Sequence, residues 1–380
     1  MQQPVIWIFA PPEKRDQAED LQRALPGGAQ ALILGPGGRP APDLDLGPAP
    51  DLALALEACP AGLRPRACLN LAPAPPQGMD CLPCPTLGWA GGQGWEGVLP
   101  ADAGEAAEAA LTAARRGFTS EWLERVQVNL PLNDLLGRYR PLVEALPINL
   151  EVGLDAQALD RVSAGETQAA RRLLKGRRLT AHLPFMDLSP GSRDPQVREL
   201  SRQRLLAAAE LAGRLEAVQA VAHLGFDHRV NPDPAQWVER AAPVFAELAQ
   251  RLAGQGCRLA LENVFELEPS LHLALLAALD HLGEAKPGLC LDVGHVLAFS
   301  QSRLADWWEV FAPRLWEMHL HDNHGGGDEH LPVGWGKADW PFLRKGLGEL
   351  QTPPVLTLEP HREPHLWGSL RGLARHFAGL

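Results

Sequence analysis

Imidazole and carboxylate side chains are concentrated in one stretch of this sequence, between Trp316 and Trp340. Five such groups fall within twelve residues: His319, His321, Asp322, Asp328 and His330. They offer nitrogen and oxygen donors without a cysteine, a set that suits zinc, manganese or iron better than a structural thiolate zinc site. The stretch therefore predicts a metal site, although a polar loop with scattered histidines is the alternative.

The first part of this stretch has the pattern of a β-strand. Apolar and polar side chains alternate from Trp316 to His321, and a period of two places alternate side chains on opposite faces. His319 and His321 therefore share one face. The glycines at 325–327 then give the backbone the freedom to turn, so that Asp328 and His330 follow the strand end.

Metal-capable side chains also end five other apolar runs. They are His182 in AHLPF, His223 in AHLGFD, Glu262 in LALENVFE, Asp292 with His295 in LDVGH, and Glu359 in LTLEPH. Each residue alone could be a hydrogen-bonded structural group. Six consecutive runs that end in this way indicate a shared cation, because unpaired buried charges are costly.

The elements that carry these residues alternate regularly from Glu121 onward. Eight strands are predicted: Val126–Leu130, Ile148–Val152, Leu179–Leu183, Ala217–His223, Arg258–Glu262, Gly288–Asp292, Trp316–His321 and Val355–Glu359. Helices predicted at Asp194–Leu215, Ala235–Leu252 and Leu271–Leu282 lie between some of them. Eight strand-helix units predict a (β/α)8 TIM barrel, in which chemistry takes place at the C-terminal ends of the strands. The alternative, an open doubly wound sheet, lacks a glycine-rich loop after its first strand.

Residues 1–118 have the pattern of a small α/β domain. Its predicted strands are Val5–Phe9, Ala31–Leu34, Asp51–Leu56, Ala67–Leu71 and Gly97–Leu99, and its predicted helices are Glu13–Leu25 and Ala103–Arg116. Segments 50–63 and 97–117 resemble the third strand and the last strand-helix of response-regulator receiver domains. The phospho-accepting aspartate of receivers has no match among Ala55, Leu56 and Glu57, and Ala101 stands for the lysine. The resemblance implies a degenerate receiver that docks or dimerises; an inactive scaffold domain is the alternative.

Composition limits the possible partners. The 380 residues are 46% apolar and 21% charged, and the net charge of -11 gives no electrostatic reason to bind nucleic acid. The N-terminus lacks a basic leader, and no run of about eighteen apolar residues follows, so a cytoplasmic protein without membrane contact is expected. The six cysteines are expected to be free thiols; a four-thiolate zinc site at Cys59, Cys68, Cys81 and Cys84 is the alternative.

The HLPF, AHLG, LEN, LDVGH, HLHDN and DEHLPVGWG segments give residues 122–378, within a predicted barrel domain of residues 122–380, a further resemblance. The region resembles the xylose isomerase-like TIM barrels, which include type IV AP endonucleases and sugar or sugar-phosphate isomerases and epimerases. In the endonucleases nine ligands hold three zinc ions. The matching residues here are His182, His223, Glu262, Asp292, His295, His319, Asp328, His330 and Glu359.

The resemblance also implies how these ligands are divided. Glu262 would bridge two ions, one also held by His182 and His223 and the other by Asp292, His319 and Glu359; His295, Asp328 and His330 would hold the third. Two such ions activate water and hold a phosphoryl group, and a third neutralises the leaving alkoxide. This implies a phosphoester hydrolase with up to three zinc ions, manganese or another divalent cation being possible. DNA is not the expected substrate, because the strand ends lack basic, aromatic-bearing loops.

The isomerase branch implies a second function. One divalent ion is held there by residues matching Glu262, Asp292, His319 and Glu359, and the two glutamates move a proton between adjacent carbons. A metal-binding or ligand-binding module without activity is a third possibility.

The substrate itself is not determined by the sequence. Asn129, Glu151, Asn263 and His321 are predicted to bind it, with loop hydrogen bonding as the alternative for the first three. Four apolar side chains either line the cleft or pack beneath it: Phe185, Met186, Phe226 and Trp335.

Overall fold

The computed structural model describes residues 120–380 without a gap and part of the chain before them. The described residues of that part are 5–10, 14–25, 30–34, 64–70, 79, 82–88, 97–98 and five helical alanines between 106 and 113. The chain divides into two compact units, residues 1–120 with 362–371, and residues 121–361 with 372–380. This division falls close to the boundary predicted at 118–122, although residues 362–371 group with the first unit.

Within the described residues, the first unit contains a parallel sheet of five strands in the order 2-1-3-4-5. The strands are β1 (Val5–Phe9), β2 (Gln30–Leu34), β3 (Ala67–Asn70), β4 (Thr86–Gly88) and β5 (Gly97–Val98), and helix α1 spans Arg15–Ala24. Ile6 and Ile8 of β1, with Leu21 of α1, belong to its buried core. The order is that of flavodoxin-like sheets, the class to which receivers belong.

Two predictions for this unit need comment. The segment that resembles the third receiver strand, 50–63, lies outside the described residues; among the described strands, β1 pairs with β2 on one side and with Ala67–Asn70 on the other. Strand β4 was not predicted, because three residues are too few to show a period. The receiver resemblance stays a prediction.

Of the six cysteines, Cys68, Cys257 and Cys290 are buried free thiols, and Cys84 is also buried. Burial raises the pKa of Cys68 and of Cys257 to about 12, so both remain protonated. Cys59 and Cys81 lie outside the described residues.

The second unit contains a closed barrel of eight parallel strands, as predicted. The strands are β6 (Gln127–Pro131), β7 (Asn149–Gly153), β8 (Leu179–His182), β9 (Gln219–His223), β10 (Arg258–Glu262), β11 (Gly288–Asp292), β12 (Leu315–Leu320) and β13 (Val355–Leu358). The sheet closes because β13 pairs with β6. All eight predicted strands are confirmed, since local apolar runs bounded by turns determine them.

The α-helices from residue 122 onward begin before β6 and end after β13, and those in between connect the barrel strands. They are α2 (Trp122–Arg125), α3 (Leu132–Leu135), α4 (Arg140–Ala145), α5 (Ala156–Arg161), α6 (Ala164–Leu173), α7 (Pro195–Leu215), α8 (Pro234–Ala253), α9 (Ser270–Leu282), α10 (Val293–Phe299), α11 (Leu304–Phe311), α12 (Trp340–Glu349) and α13 (Glu363–His376). Asp194 and Asp233 accept hydrogen bonds from first-turn amides and so fix where α7 and α8 begin. No helix within the described ranges is long and apolar enough to span a membrane.

Polar side chains fill one layer of the barrel interior. They are Gln127, Thr180, Gln219, Glu317 and Thr357. Gln219 and Thr357 both donate to the Glu317 carboxyl. Burial, together with the nearby charge of Glu151, raises the pKa of Glu317 to about 8. Glu317 precedes His319 by two residues on β12, so this layer directly supports the C-terminal end of the barrel.

Candidate metal centre

All nine predicted ligands lie together at the C-terminal end of the barrel. The last residues of β8, β9, β10 and β11 supply His182, His223, Glu262 and Asp292. His319 belongs to β12, Glu359 follows β13, and His295 lies in α10. Asp328 and His330 come from the loop after β12. Parallel strands with a common direction bring these ends together, so residues more than 170 positions apart in the sequence share one site.

Glu262 lies at the centre of the cluster and is almost fully buried. Its Oε2 atom is 3.1 Å from Nε2 of His182 and 3.1 Å from Nε2 of His223. Its Oε1 atom is 3.3 Å from Nδ1 of His295 and 3.4 Å from Nδ1 of His319. Each carboxylate oxygen therefore faces a different pair of imidazoles.

Buried charge shifts the proton affinities around Glu262. Burial opposes ionisation of Glu262, but the charges of His223 and His319 outweigh it and hold its pKa well below the usual range. Burial likewise opposes a charge on His182, yet its hydrogen bond to Glu262 raises its pKa to about 9. At His223 burial dominates and lowers the pKa. Without a metal, the negative charge of Glu262 is thus balanced by protonated histidines around it.

His319 is fully buried and faces carboxylates on both sides. Its Nδ1 atom is 3.4 Å from Oε1 of Glu359, 3.8 Å from Oδ2 of Asp292 and 3.4 Å from Glu262. Its Nε2 atom is 3.4 Å from Oε1 of Glu151. The Nδ1 side is therefore the place where three carboxylates and one imidazole converge.

A second group of donors surrounds Asp328. Its Oδ2 atom is 2.9 Å from Nε2 of His330 and 3.4 Å from Nε2 of His295. The Nδ1 atoms of these histidines donate to backbone carbonyls, His330 to Glu359 and His295 to Asn263, both at 2.9 Å. Such bonds fix the tautomer and leave Nε2 as the ligand atom. The donors converge although His330 must adopt a positive φ of 50°.

These donors fit a divalent metal. Several buried polar atoms of the cluster have no hydrogen-bond partner among the described residues: Glu262 Oε1, both ring nitrogens of His319, His321 Nδ1 and Asp328 Oδ1. Leaving such atoms unpaired costs about 1–3 kcal/mol each, which a bound cation would offset. The compact donor groups include His182–Glu262–His319 and Asp292–His319–Glu359. A nitrogen and carboxylate donor set of this kind suits zinc or manganese.

Asp322 does not belong to the donor cluster, in contrast to its place among the five groups noted in the sequence. Its Oδ1 atom accepts from the amides of Asn323 (2.9 Å) and Ala338 (3.0 Å). Its Oδ2 atom accepts from the amide of Gly334 (3.1 Å) and the indole of Trp340 (2.8 Å). Asp322 also pairs with Leu331 through two backbone hydrogen bonds. It therefore closes the loop that carries Asp328 and His330.

The predicted substrate-binding residues are enclosed to different degrees. Glu151 is fully buried and accepts a 2.8 Å hydrogen bond from half-buried Asn129. Asn263 is buried and bonded to the backbone of Asp292 through both its amide oxygen and nitrogen. His321 is buried within the donor cluster. Direct substrate contact stays a prediction for all four residues. Their hydrogen bonds support a role in orienting the candidate metal donors.

The predicted apolar walls divide into two kinds. Phe185, Met186 and Trp335 are 41%, 75% and 37% exposed, whereas Phe226 is buried and packs edge-on against Trp237. The Phe185 ring stacks on His223 with centroids 4.3 Å apart. Phe185 thus covers a predicted ligand, and Phe226 packs within the protein interior.

Two further residues near the centre did not emerge from the sequence. His361 stacks on His330 with centroids 3.6 Å apart, and its position two residues after Glu359 was the available signal. Glu266 is buried near His295, and burial raises its pKa to about 7. Nothing in the local pattern distinguishes Glu266 from the exposed glutamates of neighbouring loops.

Comparison with known proteins agrees with this fold and site. Residues 150–376 match the profile of the family described as xylose isomerase-like TIM barrel. This is more than half of the chain, which therefore belongs to that family. The family is enzymatic, and isomerases and epimerases are among the similar structures.

One similar structure is that of the TTHB071 protein from Thermus thermophilus soaked with zinc chloride. It is 30% identical with a TM-score of 0.58, and the alignment covers 67% of this chain and 98% of that chain. A D-tagatose 3-epimerase-like protein is 20% identical with a TM-score of 0.57, covering 66% of this chain and 96% of its own. An L-ribulose 3-epimerase is 17% identical with a TM-score of 0.53, covering 67% and 94%. At the two lower identities the likeness establishes the fold alone.

A relative from Methanocaldococcus jannaschii, the uncharacterized protein MJ1311, is 24% identical over 186 residues. The match covers 48% of this chain and 64% of that protein, so it spans a little less than two thirds of the relative.

Proposed function

We propose that this protein is a metal-dependent phosphoester hydrolase that uses more than one zinc ion. The observation that carries the proposal is the division of the Glu262 carboxylate. One oxygen faces His182 and His223, and the other faces His319 and its neighbours. A carboxylate with imidazoles on both oxygens is suited to bridge two cations.

The number of donors supports the same proposal. A single divalent ion held by Glu262, Asp292, His319 and Glu359 leaves several buried imidazoles without a function. The separate group around Asp328 has its own pair of Nε2 atoms, from His295 and His330. Burying so many ionisable groups is costly unless cations compensate them.

The donors on the two sides of Glu262 would hold the ions, and bound zinc would supply Lewis acidity for activating water and neutralising phosphoryl charge. The chain would supply the remaining functions. Glu359 is the least enclosed carboxylate beside His319, with 12% of its side chain exposed, and it could hold a proton at the cleft. Phe185 covers His223 and excludes water from the ligands beneath it. The expected substrate is a small molecule bearing a phosphoester.

A sugar or sugar-phosphate isomerase or epimerase is the second candidate. It is favoured by the compact group of Asp292, His319 and Glu359, which with Glu262 would hold one divalent ion. The comparisons favour it over hydrolysis, because several similar structures bear the names of sugar epimerases. In this reaction Glu262 and Glu359 would move a proton between adjacent carbons.

The number of bound ions distinguishes the two candidates. Elemental analysis of the purified protein should give more than one equivalent of zinc, up to three, and chelation should abolish turnover of a generic phosphodiester. His330→Ala should remove about one equivalent without unfolding the barrel, and Glu262→Ala should disable the whole centre. His324→Ala is the matched control, because His324 lies in the same loop but is exposed and paired with Glu329.

A single equivalent in the wild type, unchanged by His330→Ala and accompanied by epimerisation of a ketose panel, would refute the hydrolase. That result would establish the second candidate instead.

A further inference from the structure

His321 lies between two carboxylates of the centre and is only 1% exposed. Its Nε2 atom is 3.0 Å from Oδ2 of Asp292, and its Nδ1 atom is 3.6 Å from Oδ1 of Asp328. An ionised carboxylate only accepts hydrogen bonds, so the shorter contact places the ring hydrogen on Nε2. In the neutral ring, Nδ1 then carries a lone pair that points towards Asp328.

That lone pair has no partner of its own. Both His321 Nδ1 and Asp328 Oδ1 are buried atoms without a hydrogen-bond partner among the residues described. Two acceptors that face each other repel unless a cation lies between them. A carboxylate that orients a histidine through one nitrogen while the other binds a metal is a common arrangement in metal sites.

His321 is also the member common to two compact donor groups. One contains Asp328 and His330, and the other contains Asp292 and His295. The His321 ring is stacked parallel to His330, with centroids 3.9 Å apart and planes inclined by 7°. From these stacked rings, Nε2 of His330 faces Oδ2 of Asp328 and Nδ1 of His321 faces Oδ1.

The surrounding backbone holds the His321 ring in place. A Cβ atom on Gly294 would collide with the Cε1 and Nδ1 atoms of the ring, so only glycine leaves room for it there. Asn323 fixes this part of α10 to the loop by donating to the Gly294 carbonyl at 2.8 Å. The close packing of the His321 ring thus explains why the second residue of α10 is a glycine.

We propose that His321 is a further ligand of the ion at Asp328, which it binds through Nδ1 beside His330; this rests on the proposed multinuclear function. With His295, whose Nε2 also faces Asp328, the donors become three imidazoles and one carboxylate. Four protein ligands are the number found in closed, structural zinc sites. This ion would then order the loop, and the ions at Glu262 would contact the substrate.

Two substitutions test the proposal by zinc binding, measured by competition with a chromophoric chelator. His321→Asn keeps an amide that can donate to Asp292 but has no ring nitrogen for the metal. Gly294→Ala retains every ligand and displaces the ring. Each should weaken one equivalent of zinc by about 100-fold or more, beyond the usual effect of an outer-shell partner. His361→Asn is the control, because His361 is exposed and stacks on His330 from its other side at 3.6 Å.

Cobalt(II) titration of the wild type makes the test independent of the variants. The cobalt ion that binds at Asp328 should show the intense visible absorption that is typical of four-coordinate cobalt. The weak absorption that is typical of five- or six-coordinate cobalt would overturn the proposal. Binding of several ions with unchanged affinities in His321→Asn would also overturn it, while the multinuclear function would stand. A single ion in the wild type would instead refute the multinuclear function.

Discussion

Replacing Asp322 tests whether a residue outside the donor cluster controls metal binding. Asp322→Ala removes four hydrogen bonds that close the loop carrying Asp328 and His330. The hydrogen bonds from Asn323 and Trp340 are buried, so in the variant water cannot replace the lost carboxylate as their acceptor. The hydrogen bonds from Gly334 and Ala338 are partly exposed, so water can replace it there. Each stranded donor costs about 1–3 kcal/mol, which gives about 4 kcal/mol for the two buried ones.

This energy stabilises the ordered loop, so its loss should appear in the ion that the loop binds. At about 1.4 kcal/mol per tenfold change, zinc at Asp328 should bind roughly a thousandfold more weakly. Zinc equivalents measured at buffered free zinc, together with amide exchange over residues 323–337, would detect the change. Asp339→Ala is the matched control, because Asp339 only caps α12 through Phe342 and its loss should cost about 1 kcal/mol.

The explanation would fail if Asp322→Ala kept its full zinc content and wild-type exchange rates. A variant that lost zinc from every position would also contradict it, because the donors around Glu262 come from barrel strands rather than from this loop.

Three other predictions concern the metal-free protein and the partners of the chain. Burial disfavours a charged His182, but Glu262 raises its pKa to about 9; the stability that this proton confers is therefore complete below pH 6.5 and lost towards pH 9. Urea unfolding in excess chelator should show a loss of about 3 kcal/mol from His182 over that interval, and a flat profile would contradict this. Acetyl phosphate should leave residues 1–118 unmodified, and an acid-labile phosphate found there by mass spectrometry would disprove the degenerate-receiver interpretation. Duplex DNA should not bind tightly at physiological salt, because the chain carries a net charge of -11; nanomolar retention of an abasic duplex in a gel shift would favour an endonuclease.

The barrel and the convergence of the candidate donors were predictable because their signals are local. The strands Arg258–Glu262 and Gly288–Asp292 were predicted with their observed bounds, since each is a short apolar run that ends at a charged side chain. Once eight parallel strands of a barrel are inferred, their C-terminal ends must lie on one face. Glu262 and His319, which lie at two of these ends, are therefore expected in the same site. Strand β4 was missed because its three residues are defined by pairing with β3 and not by any period of their own.

The sequence by itself thus determined the barrel, the family resemblance and the candidate metal donors. It did not determine which way each donor points. Asp322 and Asp328 are similar carboxylates six positions apart, yet Asp322 binds amides and an indole up to eighteen positions away while Asp328 faces three imidazoles. His319 lies on β12 and His321 follows that strand; Nε2 of His319 faces Glu151 at 3.4 Å, whereas Nε2 of His321 is hydrogen-bonded to Asp292 at 3.0 Å, and both carboxylates belong to other strands. Only the tertiary structure decides these orientations, because hydrogen-bond partners distant in sequence select the rotamer and tautomer of each side chain.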